Sequence, residues 1–289
     1  NHLEDILAFG QKGLIVTDGF VYQMLGERLY QKLTKLGGEM FVWVIEEDRP
    51  SETVDYIVAL GGGRAIDLGQ ALAFESNASC IVVPTSAATD APTSRISVKY
   101  HNGYFEKYSY YAKSPDLVLI DTAILINSPV HFLTAGIADG LSTSIEARTV
   151  RENSGVNTLG AAPTLAAEAI AEKCREVLLE FAEEAVEANE KHIITPAFEA
   201  VVEANTLLSG IGFESGGLSI AHALHNAMVS LWGNEIKGSH GQIIALTTLQ
   251  QLRIEGREEE LARYQTLFEK LALPNFYEEL SIFPAAEEL

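Results

Sequence analysis

Residues Tyr56–Val83 read YIVALGGGRAIDLGQALAFESNASCIVV, and their pattern decides the fold class. The apolar run Tyr56–Leu60 has strand length and stops at Gly61-Gly62-Gly63. AIDLGQALAFES then carries apolar residues at helical spacing, and a second β-rich run, Ser79–Val83, ends at Pro84-Thr85. Strand, glycine turn, helix and strand in that order form a βαβ unit of a parallel sheet. Upstream, KGLIVT (Lys12–Thr17) is a short strand ending at Asp18. FVYQMLGERLYQKLTKLGG follows with helical periodicity, stopping at Gly37-Gly38, and Met40–Ile45 is the next strand. Downstream, RISVKYHNGYFEKYSYYA alternates around Asn102-Gly103, a two-residue hairpin signal, and DLVLI (Asp116–Ile120) is a buried strand closed by Asp121. One spacing conflicts with this scheme. Only ten residues, EEDRPSETVD, separate Ile45 from Tyr56, and a parallel crossover needs about a dozen or more. The two strands are therefore expected to pair antiparallel, or the chain to contain a break between Glu46 and Asp55.

The turns of this half carry its chemistry. Strand, triple glycine and a helix beginning near Arg64 present bare backbone N–H groups at a helix N-terminus. A pyrophosphate can approach there without meeting a Cβ. The turn is neither the GxGxxG fingerprint nor a P-loop, and a tight turn with no ligand is the alternative reading. Asp18, closing the first strand, suits the hydroxyls of an adenosine ribose and would repel a 2′-phosphate, favouring NAD over NADP. It also suits the role of cap to the following helix. Asp67, one turn into its helix, either bonds loop amides or complements the dipole. Pro84–Ser97, PTSAATDAPTSRIS, is a hydroxyl-rich loop with one central carboxylate, Asp90. A loop after a parallel strand lies at the sheet's carboxyl edge, where ligands bind.

From Ser128 onward the pattern is helical almost throughout. GFESGGLSIAHALHNAMVSLWGNEIKGSHG (Gly212–Gly241) holds His222 and His225 at i, i+3 on one helix face, with Glu214 ahead of them. His240 follows beyond Trp232-Gly233-Asn234, flanked by small residues. Neutral imidazole is the commonest metal ligand, and a catalytic site needs about three protein ligands. These histidines can aim two imidazoles at one ion, the third ligand coming from elsewhere in the chain, or else are satisfied structural residues. Asp139 sits in an otherwise apolar helix, where a carboxylate is costly to bury unless it is paired or bound to a cation. Glu183, Glu184, Glu187, Glu190, Glu255 and Glu258–Glu260 read as solvated helix faces.

Composition narrows the partners. The 289 residues are 47% hydrophobic and 21% charged, as in a packed soluble protein, and the net charge of −20 opposes binding to nucleic acid or anionic lipid. Two cysteines, Cys80 and Cys174, far apart and without a CxxC, point to free thiols and a reducing compartment. No apolar run reaches the roughly 18 residues of a membrane span, and the first residues lack a signal pattern. A cytoplasmic protein is expected.

GGGxxxD at Gly61–Asp67, TDAPTS at Thr89–Ser94, SPxxxLxAGIADxLxTxxEAR from Ser128, TPAxExVxEANTLLSGxGFESGGLxxAHAxHN from Thr195 and the later His240-Gly241 together carry a resemblance. The chain resembles the glycerol dehydrogenases of the metal-dependent, so-called iron-containing, alcohol dehydrogenase superfamily, over roughly Gly13–Leu273. The resemblance implies an α/β, Rossmann-like nucleotide-binding domain at residues 1–126. An all-α metal- and substrate-binding domain follows at 127–289, with the site in the cleft between the two. It implies zinc (or iron) on Asp139, His222 and His240, and Asp90 and Phe213 at the substrate, with His225 as a proton relay or supporting group. Its NAD contacts fall on Asp18, Gly61, Gly62, Gly63, Arg64, Thr85, Ala88, Ser94, Ile96 and Tyr100. The implied reaction is oxidation of glycerol or a similar vicinal diol, in a homo-oligomer, an octamer in the family. Two other readings compete: another superfamily activity, such as glycerol-1-phosphate dehydrogenase or a dehydroquinate synthase-like enzyme, and a metal- or nucleotide-binding homologue without turnover. The chain departs from the pattern at Arg64, Ala65 and Ala88, and lacks further histidines between His225 and His240. Family members also carry a strand before Asn1, a helix between the second and third strands, and helices beyond Leu289.

Overall fold

The structure, a computed structural model, describes residues 2–101 and 103–282. It divides into two compact units. One comprises the chain up to Ser86 with Ala91–Val98 and Tyr108–Leu125; the other comprises Ala87–Asp90, Lys99–Lys107 and the chain from Ile126 on.

In the first unit, a short helix α1 (Leu3–Leu7) precedes β1 (Lys12–Thr17). A continuous helical segment follows: α2 (Gly19–Val21), a π turn at Tyr22–Gly26 and α3 (Glu27–Lys35). Then come β2 (Glu39–Val44), β3 (Tyr56–Gly61), α4 (Gly63–Ser76) and β4 (Ser79–Pro84). The edge strand β7 (Leu117–Val118) and α5 (Thr122–Leu125) complete its order, and between β4 and β7 the chain forms the hairpin strands β5 (Ile96–His101) and β6 (Tyr104–Tyr110), of which Lys99–Lys107 belongs to the second unit. The main sheet runs β2-β1-β3-β4-β7, every neighbouring pair parallel. β5 and β6 form a separate two-stranded sheet; of the turn residues expected between them, Asn102 lies outside the described residues.

Alternation along the strands builds a core on each face. Ile15, Tyr56, Val58, Leu60 and Ile81 face one side, packed with Ile6 and Leu33 from α1 and α3. Leu14, Val16, Ile57, Ala59 and Val82 face the other, packed with Ile66, Leu72 and Ala73 of α4. Burial on both faces is why these strands read as unbroken apolar runs.

The conflict at residues 46–55 resolves through strand order. β2 and β3 are not neighbours: both pair in parallel with β1, which lies between them, so the antiparallel expectation was wrong. The chain is described through every residue of 46–55, as a turn followed by irregular chain with no helix. Ten residues reach up to about 33–36 Å when extended, longer than a six-residue strand, so the return needs no helix. Ile45 N–H donates to Thr17 O at one end of this strap, and Asp55 N–H to Lys12 O at the other. The Asp55 carboxylate accepts from Gln11 and Lys12 N–H, both at 2.8 Å.

The run expected as a strand over Asp116–Ile120 is shorter as a ladder, Leu117–Val118. Its pairing nonetheless extends outward, with Asp116 N–H on Cys80 O and Leu119 N–H on Val82 O.

The second unit is helical: α6 (Val130–Glu152), α7 (Leu165–Glu190), α8 (Pro196–Glu203), a π turn at Ala204–Leu208, α9 (Ser209–Gly216), α10 (Ile220–Trp232), α11 (His240–Ile254) and α12 (Glu258–Lys270). Thr164 and Thr195 cap their helices through side-chain oxygens, and Pro196 occupies a first-turn position where its missing N–H costs nothing. α6 is the central element, in contact with α7, α9 and α11. Its residues from Leu133 to Ala147 are all buried, which explains a sequence of small and apolar residues without a polar face. Glu183, Glu184, Glu187 and Glu190 are exposed as expected. Glu255 is not: it is half-buried, accepting from Thr149, Gln251 and Arg257. Both cysteines are free and buried. Among the described residues, no helix is long and apolar enough to cross a membrane.

α4 meets β3 at Gly69, where an added Cβ would lie 2.5 Å from Ala59 Cβ. Gly69→Ala is expected to destabilise the protein by about 1–3 kcal/mol through overpacking, although alanine is the better helix former. Urea denaturation checks this; an unchanged or raised midpoint would show that the helix shifts freely.

Candidate functional site: a buried carboxylate and three histidines

Asp139 lies at mid-length in α6 and is 1% exposed. Both of its carboxylate oxygens are buried without a hydrogen-bond partner. Two imidazoles face it: His240 Nε2 lies 3.3 Å and His222 Nε2 3.7 Å from Asp139 Oδ1. One ligand atom from each of the three residues falls within 4.8 Å of the others. An oxygen and two ring nitrogens so arranged fit a cation bound at about 2.0–2.2 Å from each donor. They do not fit a satisfied polar core, because the carboxylate would then have donors.

Helix ends deliver these side chains. His222 sits in the first turn of α10, and His240 is the first residue of α11. At Gly241 an added Cβ would lie 2.1 Å from Ala135 O, so only glycine lets the start of α11 press against α6 one turn before Asp139. His225 is buried and lies against His240 rather than His222: His225 Nε2 is 2.9 Å from His240 Nδ1, and His225 Nδ1 is 3.0 Å from Asn226 Oδ1. With Asn226 Oδ1 as acceptor, His225 carries its proton on Nδ1. His240 then donates from Nδ1 to His225 Nε2, which leaves His240 Nε2 bare towards Asp139.

Asp90 is half-buried, and its Oδ2 accepts from Ser209 Oγ at 3.0 Å; Ser209 Oγ is in turn 2.9 Å from Thr143 Oγ1. The segment carrying Asp90 is held to the helices by Asn205, whose Nδ2 donates to Ala87 O at 2.9 Å. Phe213, on α9, is buried.

One member of the cluster escaped the sequence reading. Glu146, two turns after Asp139 on α6, is fully buried and meets His222 Nδ1 at 2.6 Å. A carboxylate is as costly to bury at Glu146 as at Asp139, and the neighbours of Glu146 in the chain are also buried. Ser209 and Asn205 were likewise missed; buried polar residues in an Ala/Leu-rich helix were their signal.

Charges here are strongly coupled. Burial lowers the pKa of His222, but the adjacent Glu146 carboxylate, its hydrogen bond, Asp139 and Asp90 outweigh that and push it up to about 9. Burial and the charge on His222 press His240 down to about 3. Burial, then the adjacent imidazoles of His240 and His222, hold His225 well below the usual imidazole value. Burial followed by the Asp139 charge raises Asp90 well above the ordinary carboxylate range.

In the first unit, Asp18 caps α2, accepting from Val21 N–H at 2.9 Å through Oδ1. It also borders the glycine turn: a Cβ on Gly61 would lie 3.9 Å from Asp18 Oδ2. Gly61 has φ +150, Gly62 is the N-cap of α4 with no side-chain cap, and Gly63 opens the helix. Thr85 N–H donates to Gly61 O, joining the turn to the residue after β4. Arg64 pairs with Glu46 at 3.0 Å on the surface. Ser94 Oγ accepts from Ile96 N–H at 3.0 Å, and both residues are buried. Asp18, Gly61–Gly63, Arg64 and Thr85 therefore share one sheet edge. Ala88 and the exposed Tyr100 belong to the second unit.

The charges give a pH dependence for cation binding. Below about pH 9 His222 holds a proton that a metal ion must displace, whereas His240 is already neutral. Zinc affinity is expected to rise about tenfold per pH unit from pH 7 towards 9, with about one proton released per ion. Calorimetry at pH 8 in two buffers of different ionisation heat checks this; proton uptake, or none, would contradict it.

Residues 3–129 match the family of iron-containing alcohol dehydrogenases. The glycerol dehydrogenase of Thermotoga maritima is 37% identical over 99% of this chain and 81% of its own length. The glycolaldehyde reductase of Halobacterium salinarum is 38% identical over 95% of this chain and 79% of its own. The crystal structure of glycerol dehydrogenase from Schizosaccharomyces pombe superposes with a TM-score of 0.92 at 33% identity, covering 98% of this chain and 75% of that one. On these likenesses, the chain belongs to the iron-containing alcohol dehydrogenases, a family of oxidoreductases.

Proposed function

We propose that this protein oxidises glycerol, or a similar vicinal diol, to dihydroxyacetone or the corresponding hydroxyketone, with NAD as hydride acceptor and a divalent cation on Asp139, His222 and His240. The observation that carries the reading is the buried Asp139 carboxylate, with both oxygens unpartnered and two imidazole nitrogens turned towards it. Two nitrogens and one oxygen suit zinc, with iron the alternative for the same donors. When bound, the cation would supply Lewis acidity that lowers the pKa of a substrate hydroxyl.

The remaining roles belong to the chain's own groups. Asp90, fixed by Ser209, orients the substrate's neighbouring hydroxyls, with Phe213 closing the apolar side. His225 holds the tautomer and plane of His240. The Gly61–Gly63 turn offers first-turn amides of α4 to the pyrophosphate of NAD. Asp18 accepts from the adenosine ribose and disfavours a 2′-phosphate. Two likenesses support the substrate class: relatives named for glycerol and for glycolaldehyde both act on small hydroxylated C2–C3 compounds. A phosphorylated substrate would call for several cationic side chains, and the metal-site stretch offers only Lys237.

NAD reduction with glycerol, 1,2-propanediol and glycerol 1-phosphate, and NADH oxidation with glycolaldehyde, each with and without chelator, test the reading. Chelator-sensitive turnover of glycerol is expected. Turnover of the phosphate alone, or of none, would overturn the reading. Asp90→Asn is expected to cut kcat/KM for glycerol at least tenfold, about 1.4 kcal/mol, while NAD affinity changes little. Equal losses would assign Asp90 to the cofactor or the loop. Asp18→Ser is expected to narrow the NAD over NADP preference at least tenfold; an unchanged ratio would leave Asp18 a helix cap only.

A further inference from the structure

Glu146 makes three contacts, all to one turn of one helix. Its Oε1 accepts from Ser219 N–H at 2.7 Å and from His222 N–H at 3.0 Å, and its Oε2 lies 2.6 Å from His222 Nδ1. It is fully buried on α6 and shares a face with Asp139, two turns earlier. The first turn of α10 is therefore anchored by the same carboxylate that touches the ring it carries. A second anchor, Gln251 on α11, accepts from Ala221 N–H at 2.8 Å.

The geometry points to Glu146 as a positioning residue that fixes the tautomer and orientation of His222, and so sets the cation affinity of the Asp139–His222–His240 site. This rests on the metal reading above. A histidine that ligates through Nε2 must keep its hydrogen on Nδ1, and that hydrogen needs a strong acceptor. Glu146 Oε2 is that acceptor, and its position is set by the two backbone donors on Oε1.

The same contacts show why an amide cannot substitute. Glutamine has one oxygen, and the two amides at the start of α10 have first claim on it, since turning NH2 towards them would strand both. The NH2 would then face His222 Nδ1, which must become the acceptor. The ring hydrogen moves to Nε2 and points at Asp139 Oδ1, where the cation belongs. Glu146→Gln thus preserves size and the helix anchor while reversing the ring. A purely structural glutamate would be replaced by glutamine with little consequence.

The test is zinc titration of the chelator-stripped full chain, by competition with a chromophoric chelator, for the parent, Glu146→Gln, Glu146→Asp and Asp139→Asn. Circular dichroism monitors the fold. The parent should bind one zinc, and Asp139→Asn should abolish binding; failure of either defeats the metal reading itself. Given both, Glu146→Gln is expected to weaken zinc about 10–100-fold at unchanged fold, with Glu146→Asp closer to the parent because it keeps the acceptor. Zinc affinity within threefold of the parent in Glu146→Gln would overturn the inference. Should the glutamine variant fail to fold, long-range 15N–1H spectra of histidine-labelled, zinc-loaded parent decide. A His222 ring protonated at Nδ1 supports the assignment, and one unprotonated there overturns it.

Discussion

A carboxylate enclosed by protein, with neither oxygen hydrogen-bonded, is the constraint on which the second unit depends. Asp139 is 1% exposed at the centre of the most buried helix, and an isolated charge there costs several kcal/mol even after relaxation. Nothing on α6 itself relieves that cost. Relief comes from α10 and α11, each of which begins beside Asp139 and presents an imidazole from its first turn. Bringing those helix starts so close requires the bare backbone of Gly241 against Ala135. It also requires acceptors for the amides that open α10, and Glu146 and Gln251 provide them.

The histidines are consequently unequal despite their shared chemistry. His222 stands between two carboxylates and holds its proton to about pH 9, while His240 and His225 are pressed towards neutrality by burial and by the charge on His222.

Much of this was legible in the sequence because it follows from periodicity and from the cost of burial. The strands at Lys12–Thr17 and Tyr56–Leu60 and the glycine stop before α4 follow from local pattern, and Asp139 stands out as one costly buried charge; its convergence with two histidines was implied by the family resemblance alone. What was not legible depends on which elements are neighbours. The strap at 46–55 looked too short only on the assumption that β2 and β3 pair with each other; with β1 between them, no helix is required. His225 shares a helix face with His222, yet its ring turns to His240 because α11 begins there, which i, i+3 spacing cannot reveal. Glu146 stood in plain view in a run of buried residues, but its partner lies 76 positions away.

The helix-free strap leaves a mark on the sheet. In a βαβ unit the crossover helix covers the strand it leaves, and here β2 has none. Met40 and Val42 face the core beneath α3, while Phe41, Trp43 and Ile45 on the opposite face are only partly buried. β2 is also an edge strand, bonded to β1 alone. Cooperative stability is unevenly spread in such a sheet, because opening β2, whose residues are mostly only partly buried, breaks one ladder, whereas opening the fully buried β3 breaks two and empties both cores. Amide hydrogens of β2 should therefore exchange through a local, low-energy opening, and those of β3 only through global unfolding.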